Sequence, residues 1–376
     1  MRLVIISHTE HYKLPNGELV GWGPTVTEIN HLAQDFESIV HLAMLRDMPA
    51  PPSALPYTPS NIQFKAIPAV GGSGFGAKIR VLSHAFKTIS IINKVLKQAD
   101  AYQLRLPTGI GVYLLPYLTH FSSKKGWYKY AGNWNQTKPP LGYRLQRWFL
   151  KRQSRPVTIN GCWPTQQTHC LTFENPCLTQ EELKTGQQCR ATKAKTDQLV
   201  LCYVGRLESQ KGVGRLLKAL ETLPPETQAR IAKVHLVGDG PERHKFETLA
   251  QGIPIDIRYH GYLPRHEVFE LYKASHYFIM PTLASEGFPK VLAEAANFGC
   301  VPIVTNLSSI SQYIKEGESG YLISPNDMDA LAERLHRILS STDSEYRSVV
   351  DGASSFVSRF TFIHYREKIQ ELVKGM

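Results

Sequence analysis

The sequence predicts an α/β protein of two domains, each built around a mainly parallel sheet. The chain has 376 residues, of which 42% are apolar, and this is enough length and apolar surface for two separate cores. Continuous apolar runs of strand length stand at residues 3–6 and 199–204, one in each half, as in strands that are buried on both faces. Each run leads through a loop containing glycine to a segment with helical apolar spacing. This strand–loop–helix order is typical of nucleotide-binding folds.

The charge balance narrows the classes of partner. Lys and Arg total 43 against 32 Asp and Glu, a formal net charge of +11. Such an excess favours anionic partners, which include nucleotides, acidic glycans, membrane surfaces and nucleic acid. Residues 1–7 make a poor signal peptide and a good first strand, and no apolar stretch approaches the roughly 20 residues that span a bilayer. We therefore expect a cytoplasmic protein, with peripheral contact at the inner face of a membrane as a further expectation.

A candidate phosphate contact lies near the start of the chain. After the strand at residues 3–6 and a polar loop come Gly21, Trp22 and Gly23, and helical spacing follows from Val26. A glycine loop between a strand and a helix favours phosphate binding, because backbone amides can approach the ligand there. The full G-x-G-x-x-G pattern is absent, so a plain turn stays open as the alternative.

A basic and aromatic segment at residues 121–155 contains no acidic residue. Within it, one helical face carries the apolar side chains Leu141, Leu145, Trp148 and Phe149. The cations Arg144, Arg147, Lys151 and Arg152 lie largely elsewhere on the helix. One interpretation is a helix on an anionic bilayer, with aromatic rings in the headgroup layer and cations on lipid phosphate. The other is a helix whose apolar face packs on the sheet. Nucleic-acid channels have a similar composition, but nothing in the sequence resembles a known module of that kind.

The segment between the two halves and the strand after it organise the C-terminal part. Residues 178–198 are polar and charged, which indicates a linker between domains. The strand at residues 199–204 then runs into Gly205 and Arg206, and Lys211 precedes the next helix. A pair of solvated loop cations is the plain alternative to a binding role.

The most informative stretch is residues 285–295, Ser-Glu-Gly-Phe-Pro-Lys-Val-Leu-Ala-Glu-Ala. Pro289 suits the first turn of a helix, because its missing N–H would be unpaired there anyway. We predict that Glu286 stands at the mouth of this helix and that Glu294 projects from it after the first turn. The amides of residues 287–290 then form a site for a negative group. Two carboxylates flanking an anion site suit a ligand with a sugar, a phosphate and a ribose; an ordinary surface helix is the alternative.

These segments, in this order, resemble the large retaining glycosyltransferase family called family 4, or group 1. The spacing of Glu286 and Glu294 is similar to the E-x7-E motif of that family, and residues 205–212 are similar to its G-R-L…K-G segment. The resemblance is strong over residues 199–340 and thin over residues 1–176. It implies the GT-B fold, in which two Rossmann-like domains face each other across a cleft. We expect an acceptor domain at residues 1–177 with the C-terminal helix at 358–376 packed back on it, and a nucleotide-sugar donor domain at 199–357.

The resemblance also implies roles for individual residues. Arg206 and Lys211 would stabilise the departing diphosphate, Glu286 would hold the transferred sugar, and Glu294 would hold the ribose. Further donor contacts are implied for Gly21, Gly23, Gly205, Tyr262, Gly287 and Phe288. Many relatives carry a histidine where this chain has Arg105. A guanidinium cannot act as a base near neutral pH, so we predict that Arg105 holds the donor phosphate or an acidic acceptor, and any catalytic histidine is in doubt.

The function that the resemblance implies is transfer of a hexose, with retention, from a nucleotide sugar to a glycan or lipid-linked acceptor in cell-surface polysaccharide synthesis. A UDP-sugar is the favoured donor. We expect no bound cofactor and no nucleic acid. We also expect no metal, because cations and helix amides can carry the diphosphate charge. Asp327-Met328-Asp329 is interpreted as a helix start rather than as a metal site. Two alternatives stay open. One is another GT-B enzyme such as a nucleotide-sugar epimerase or a phosphorylase, and the other is a non-catalytic basic protein that binds glycan or nucleic acid.

Overall fold

The computed structural model describes residues 1–72, 74–327 and 330–376. The chain divides into two compact units, one formed by Met1–Glu174 with Tyr365–Met376 and the other by Asn175–His364. Each unit combines a largely parallel sheet with helices, so the predicted α/β class is confirmed. The helix start predicted at Asp327 includes Met328 and Asp329, which lie outside the described residues.

The N-terminal unit alternates strands and helices. Its strands are β1 (Arg2–Lys13), β2 (Leu19–Trp22), β3 (Ser38–Arg46), β4 (Ala54–Pro56), β5 (Ile62–Ile67), β6 (Ala101–Leu106), β7 (Lys125–Tyr130), β8 (Val157–Ile159) and β9 (Cys170–Thr172). Its first helices are α1 (Gly23–Leu32), α2 (Phe75–Ser83), α3 (Ala85–Leu96), α4 (Gly111–Phe121) and α5 (Leu141–Leu150).

Strand β1 is the centre of this first sheet. It pairs in parallel with β3 over residues 2–6 and 10–12 and with β6 over residues 3–6, while residues 11–13 pair antiparallel with β2. The parallel ladder continues from β3 to β5 on one side and from β6 through β7 and β8 to β9 on the other. The apolar run at residues 3–6 is fully buried, which is why an uninterrupted apolar sequence was a sound signal for this strand.

The C-terminal unit contains helices α6 (Gln180–Thr192), α7 (Val213–Glu221), α8 (Pro225–Ala229), α9 (Arg243–Ala250), α10 (Arg265–Ala274), α11 (Lys290–Asn297), α12 (Ile310–Tyr313), α13 (Leu331–Leu339) and α14 (Asp343–Gly352). Its strands are β10 (Leu199–Val204), β11 (Ile231–Val237), β12 (Ile257–Gly261), β13 (Tyr277–Met280), β14 (Val301–Thr305) and β15 (Tyr321–Ile323). The last helix of the chain, α15 (Phe362–Lys374), lies mainly in the N-terminal unit.

The second sheet is parallel throughout its described strands, in the order β12-β11-β10-β13-β14-β15. The strand order therefore reverses between β10 and β13. The loops that follow these two strands leave the sheet in opposite directions, and in sheets of this kind they leave a crevice at the carboxyl ends of the strands. This topological switch point is the place to look for a ligand site in this unit.

The predicted linker at residues 178–198 is wrong. Most of this segment forms α6, which belongs to the C-terminal unit. Thr179 begins the helix with a capping box in which its side chain accepts from the Glu182 amide. The Arg190 guanidinium donates to the Asn297 backbone oxygen at 2.6 Å. A polar sequence was mistaken for a linker because its helix is held by hydrogen bonds rather than by an apolar stripe.

The glycine loop predicted around Gly21 is also wrong in its local structure. Gly21 lies within β2, opposite His11 of β1. A Cβ at Gly21 would stand 2.3 Å from the His11 ring, so glycine is needed here for packing beneath an imidazole. Gly23 begins α1, where a Cβ would meet the Ser53 carbonyl oxygen at 2.5 Å. Close packing explains both glycines without a ligand.

Helix α5 packs only part of its apolar stripe inward, because Phe149 contacts the core of the N-terminal unit while the rest of the stripe is exposed. Leu141 is 72% exposed, and Leu145 and Trp148 are also exposed, whereas Gln146 and Leu150 face inward. The interpretation of α5 as a helix with a buried apolar face is therefore wrong for these three side chains. Within the described residues no helix is long and apolar enough to cross a bilayer.

Candidate functional site

Two loops at the switch point of the second sheet carry the residues that the sequence singled out. The loop after β10 contains Gly205, Arg206 and Lys211, and the loop after β13 leads to Glu286 and then to α11. The loops are joined by the backbone, because the amide of Leu283 donates to the Gln210 oxygen at 2.8 Å. The predicted donor-binding residues of these two loops therefore belong to one continuous surface.

Glycine allows the backbones of this surface to approach closely. Gly212 has φ of +101°, which disfavours any side chain, and a Cβ there would stand 2.3 Å from the Pro281 carbonyl oxygen. Gly238 has φ of +119°, and a Cβ there would stand 2.0 Å from the Gly205 oxygen. These close contacts hold the loop after β10 between the backbone at Pro281 and the backbone at Gly238. Arg206 and Lys211 therefore project from a rigid backbone.

Lys211 and Glu286 form a direct ion pair between the two loops. The Lys211 side chain is 16% exposed, and that of Glu286 is about half-exposed. A largely covered ammonium group at the carboxyl end of a parallel sheet interacts strongly with an incoming anion, because water screens it less. The sequence placed these two residues in one pocket, and the structure brings them into contact.

Arg206 points its charge outward from the same loop. Its guanidinium pairs with Glu208 at 2.6 Å and is 63% exposed, so this pair is open to exchange for another anion at little cost. The backbone of Arg206 is held more firmly, because the hydroxyl of Tyr203 donates to its carbonyl oxygen at 2.8 Å. Burial raises the pKa of Tyr203, which keeps this hydroxyl protonated and able to donate.

Helix α11 begins at Lys290 with Pro289 as its N-cap residue. Pro289 thus stands one position before the place predicted for it. Gly287 and Phe288 precede it and are buried. The ring of Phe288 packs against Phe360 at 4.5 Å between centroids, so its side chain belongs to the core and only its backbone is available for a ligand. The contact of the amides at residues 287–288 with a negative group stays a prediction.

Glu294 lies in the second turn of α11, and its side chain is 14% exposed. The nearest cation is Arg265, whose Nε stands 3.8 Å from a Glu294 carboxylate oxygen. Burial raises the pKa of Glu294 above its ordinary value, and the positive charge of Arg265 opposes this effect. A carboxylate in this position can accept hydrogen bonds from two vicinal hydroxyl groups, and little water competes with those hydroxyl groups for it.

Arg265 is a residue of the site that sequence reasoning missed. Its guanidinium also contacts Glu182 of α6 and the backbone oxygen of Cys177. Arg265 therefore orients Glu294 from a fixed position. The sequence holds no signal for this arrangement, since three distant segments must pack together before the contacts exist.

Tyr262 follows β12 directly, after Gly261 with φ of +67°. Its ring is exposed, so it is free to stack on a planar group. The donor contact that the resemblance implies for Tyr262 stays a prediction.

Arg105 lies in the N-terminal unit and already has an anionic partner there. Its guanidinium pairs with Glu28 at 2.8 Å, and Lys129 and the hydroxyl of Tyr365 contact the same carboxylate. The Arg105 side chain is nearly buried. Such a network has a structural role of its own, because each buried charge needs its partners. The contact of Arg105 with a donor or acceptor stays a prediction, as do the ligand contacts of Gly21 and Gly23.

The part of the chain that carries this site is similar in sequence to known proteins. Residues 186–353 match the family model described as glycosyl transferases group 1. O-antigen chain mannosyltransferase B of Escherichia coli is 30% identical over 152 residues, which cover 39% of this chain and 38% of that protein. The matched region spans less than half the length of the first curated relatives.

Solved structures match the whole chain at low identity. Sucrose-phosphate synthase from Thermosynechococcus elongatus has a TM-score of 0.73 with 16% identity, covering 100% of this chain and 98% of that one. Anabaena HepE in complex with UDP and glucose has a TM-score of 0.68 with 15% identity, covering 100% of both chains. This likeness confirms the predicted GT-B fold. Residues 186–353, which carry the two carboxylates and the two loop cations of the candidate site, are therefore the part of the chain that is similar to the glycosyl transferases group 1 family.

Proposed function

We propose that this protein transfers a hexose from a nucleotide sugar to a glycan or lipid-linked acceptor in the synthesis of cell-surface polysaccharide, with retention of configuration. The observation that carries the proposal is the Lys211–Glu286 pair at the switch point, with Glu294 on the helix that follows. A cation for a phosphate and carboxylates for hydroxyl groups are the elements that a nucleotide sugar requires. The O-antigen relative supports polysaccharide as the product class.

The proposed reaction depends on charge that develops on the leaving diphosphate. Lys211 and Arg206 neutralise this charge, together with backbone amides at residues 287–288. Glu286 already contacts Lys211. When the donor binds, its phosphate accepts hydrogen bonds from the Lys211 ammonium group, and the Glu286 carboxylate becomes available to the sugar hydroxyls. The acceptor hydroxyl attacks from the face that the diphosphate leaves, and a donor phosphate oxygen accepts its proton. In this scheme protein cations do the work of a metal ion.

The nucleotide is held by a separate set of contacts. Glu294 accepts hydrogen bonds from the ribose, with Arg265 fixing its position, and Tyr262 stacks on the base. We favour UDP as the nucleotide and test it first, because HepE, which shares the fold, was crystallised with UDP and glucose.

The experiment that tests this function is a thermal-shift panel of UDP-, GDP-, ADP- and dTDP-sugars, followed by assay of nucleotide release. A ligand present at 100 times its Kd stabilises the folded state by about 2.7 kcal/mol, which is easily measured. We expect one nucleotide class to stabilise the protein and its release to require a glycan or lipid-linked acceptor. If no nucleotide sugar stabilises the protein, the proposal is wrong; formation of a free epimeric sugar without acceptor would indicate an epimerase instead.

We further propose that α5 contacts an anionic membrane on the cytoplasmic side. Its exposed apolar side chains Leu141, Leu145 and Trp148 stand beside the exposed cations Arg144 and Arg152. Exposed aromatic and aliphatic groups insert at the headgroup level, and each nearby cation adds about 1 kcal/mol on an anionic surface. The exposure of the stripe favours this proposal over a purely internal role for α5.

Replacing Arg144 and Arg152 with alanine should therefore weaken binding to phosphatidylserine-containing vesicles by about 2 kcal/mol at low salt. Arg147 is left in place, because it donates to the backbone oxygens of Trp134 and Gln136 at 2.7 Å each. The matched control removes two exposed lysines of the same unit, Lys13 and Lys65. Co-sedimentation with vesicles gives the measurement, and equal binding by both double variants would rule out α5 as the contact.

A further inference from the structure

Arg215 is a further cation beside the loop that carries Arg206 and Lys211. It lies in the first turn of α7, three positions after Gly212, the N-cap residue of that helix. Long side chains on a helix point back toward its N-terminus, so the Arg215 guanidinium reaches the loop that precedes the helix. The residue is partly buried, and its charged end therefore lies against the protein rather than entirely in water.

The Arg215 guanidinium donates to one backbone oxygen in each of the two loops at the switch point. Its Nε stands 2.8 Å from the Pro281 oxygen, in the loop after β13. Its Nη2 stands 3.0 Å from the Gln210 oxygen, in the loop after β10. One planar group with fixed donor directions thus spans both loops. The separation of the loops is held at the position directly before Lys211.

The Gln210 oxygen is the point at which the two loops meet. Besides Arg215, the Leu283 amide donates to it at 2.8 Å and the Thr282 hydroxyl donates to it at 3.2 Å. Donors from the loop after β13 and from α7 therefore converge on the peptide group that precedes Lys211. Because a peptide group is planar, fixing the Gln210 oxygen also fixes the backbone nitrogen of Lys211.

The charge of Arg215 is not neutralised by an ion pair. In the part of the chain that the structure describes, no carboxylate lies within ion-pair distance of its guanidinium, whereas Arg206 and Lys211 each pair with a glutamate. The hydrogen bonds of Arg215 go to backbone oxygens instead. Its positive charge therefore adds to the field that an anion meets at the switch point.

We propose that Arg215 is a positioning residue that joins the loop of Lys211 to the loop of Glu286, and so holds the Lys211 ammonium group where the diphosphate leaves. This inference rests on the proposed function, since it assigns Arg215 to the same reaction. Arg215 acts through Lys211 and touches none of the reacting groups. Its loss lets the two loops shift, and a misplacement of about 1 Å can cost roughly 10²-fold in rate.

A double-mutant cycle between Arg215 and Lys211 tests this role. Arg215→Met should lower kcat for nucleotide release by about 10–100-fold and change the KM for the donor less. In the Lys211→Ala background the same substitution should lower kcat by less than about threefold, because two residues that act together are not additive. Arg215→Lys keeps the charge and reaches one of the two oxygens, so it should recover part of the loss. The matched control is Lys218→Met, at an exposed lysine of the same helix, which should leave kcat and KM unchanged.

Thermal unfolding of each variant separates positioning from stability. The assays are made well below the lowest melting temperature of the set, and the cycle is made with Arg215→Lys if the methionine variant does not fold. Equal losses in the native and Lys211→Ala backgrounds would show that Arg215 does not act through Lys211, and the inference would be wrong. Native turnover by the Arg215 variant would overturn it as well. In both cases turnover by the native protein leaves the proposed function standing, whereas a native protein that releases no nucleotide from any sugar donor refutes both.

Discussion

Replacing Lys211 with alanine is expected to lower turnover by about 10²–10³-fold, the effect of removing one preorganised group that stabilises transition-state charge. The ammonium group of Lys211 is mostly covered and lies between the loops after β10 and β13. In the proposed reaction, negative charge grows on the leaving diphosphate at this position. The effect should therefore fall mainly on kcat, with a smaller change in donor affinity.

The control for Lys211→Ala is Lys218→Ala, which removes an exposed lysine from α7 in the same unit. Steady-state nucleotide release by both variants gives the comparison, and thermal unfolding shows whether each is folded. Glu286 is about half-exposed, so water can solvate its carboxylate once the lysine is gone. Turnover near that of the native protein would refute the role of Lys211 at the diphosphate.

Replacing Glu294 with alanine is expected to weaken nucleotide-sugar binding by about 10–100-fold, since hydrogen bonds to a charged group each contribute about 1.5–3 kcal/mol. The variant should stay folded because Arg265 retains its contacts with Glu182 and Cys177. Titration of the donor by calorimetry gives the affinity. Glu270→Ala, which removes an exposed glutamate from α10, is the matched control, and an unchanged affinity for Glu294→Ala would exclude a ribose contact.

The pH dependence of donor binding gives a second readout for Glu294. Its pKa is raised above the ordinary 4.5 by burial. In the proposed role this carboxylate accepts hydrogen bonds from the ribose. The charged form is lost as the pH falls through this raised value, so donor affinity should fall with it. The alanine variant should lack this step, so the two affinities should converge at acidic pH.

The sequence predicted the C-terminal unit well because its signals are local. Apolar runs of strand length, positive-φ glycines such as Gly212, and the helix after Pro289 each follow from the properties of a few adjacent residues. The spacing of Glu286 and Glu294 sets one at the mouth of α11 and the other in its second turn, whatever else surrounds them. The family resemblance implied that Lys211 and Glu286 hold the same donor, but their direct ion pair is a finding of the structure.

The errors have a common cause. The segment at residues 178–198 has a polar composition, but its helix is held by Arg190 against the Asn297 backbone. Gly21 lies in a strand because His11 requires the space of its missing side chain. The apolar stripe of α5 gave no indication of whether it faces the core or the solvent. In the first two cases the deciding contact joins residues from different secondary-structure elements.

By itself the sequence determined the α/β class, the two carboxylates, the loop cations and the helix that carries Glu294. The tertiary structure alone decided which group faces each charge: Arg265 beside Glu294, Glu28 beside Arg105, and backbone oxygens of two loops beside Arg215. Helical and strand periodicity depend on neighbouring residues, whereas the environment of a charge depends on segments that meet only when the chain has folded.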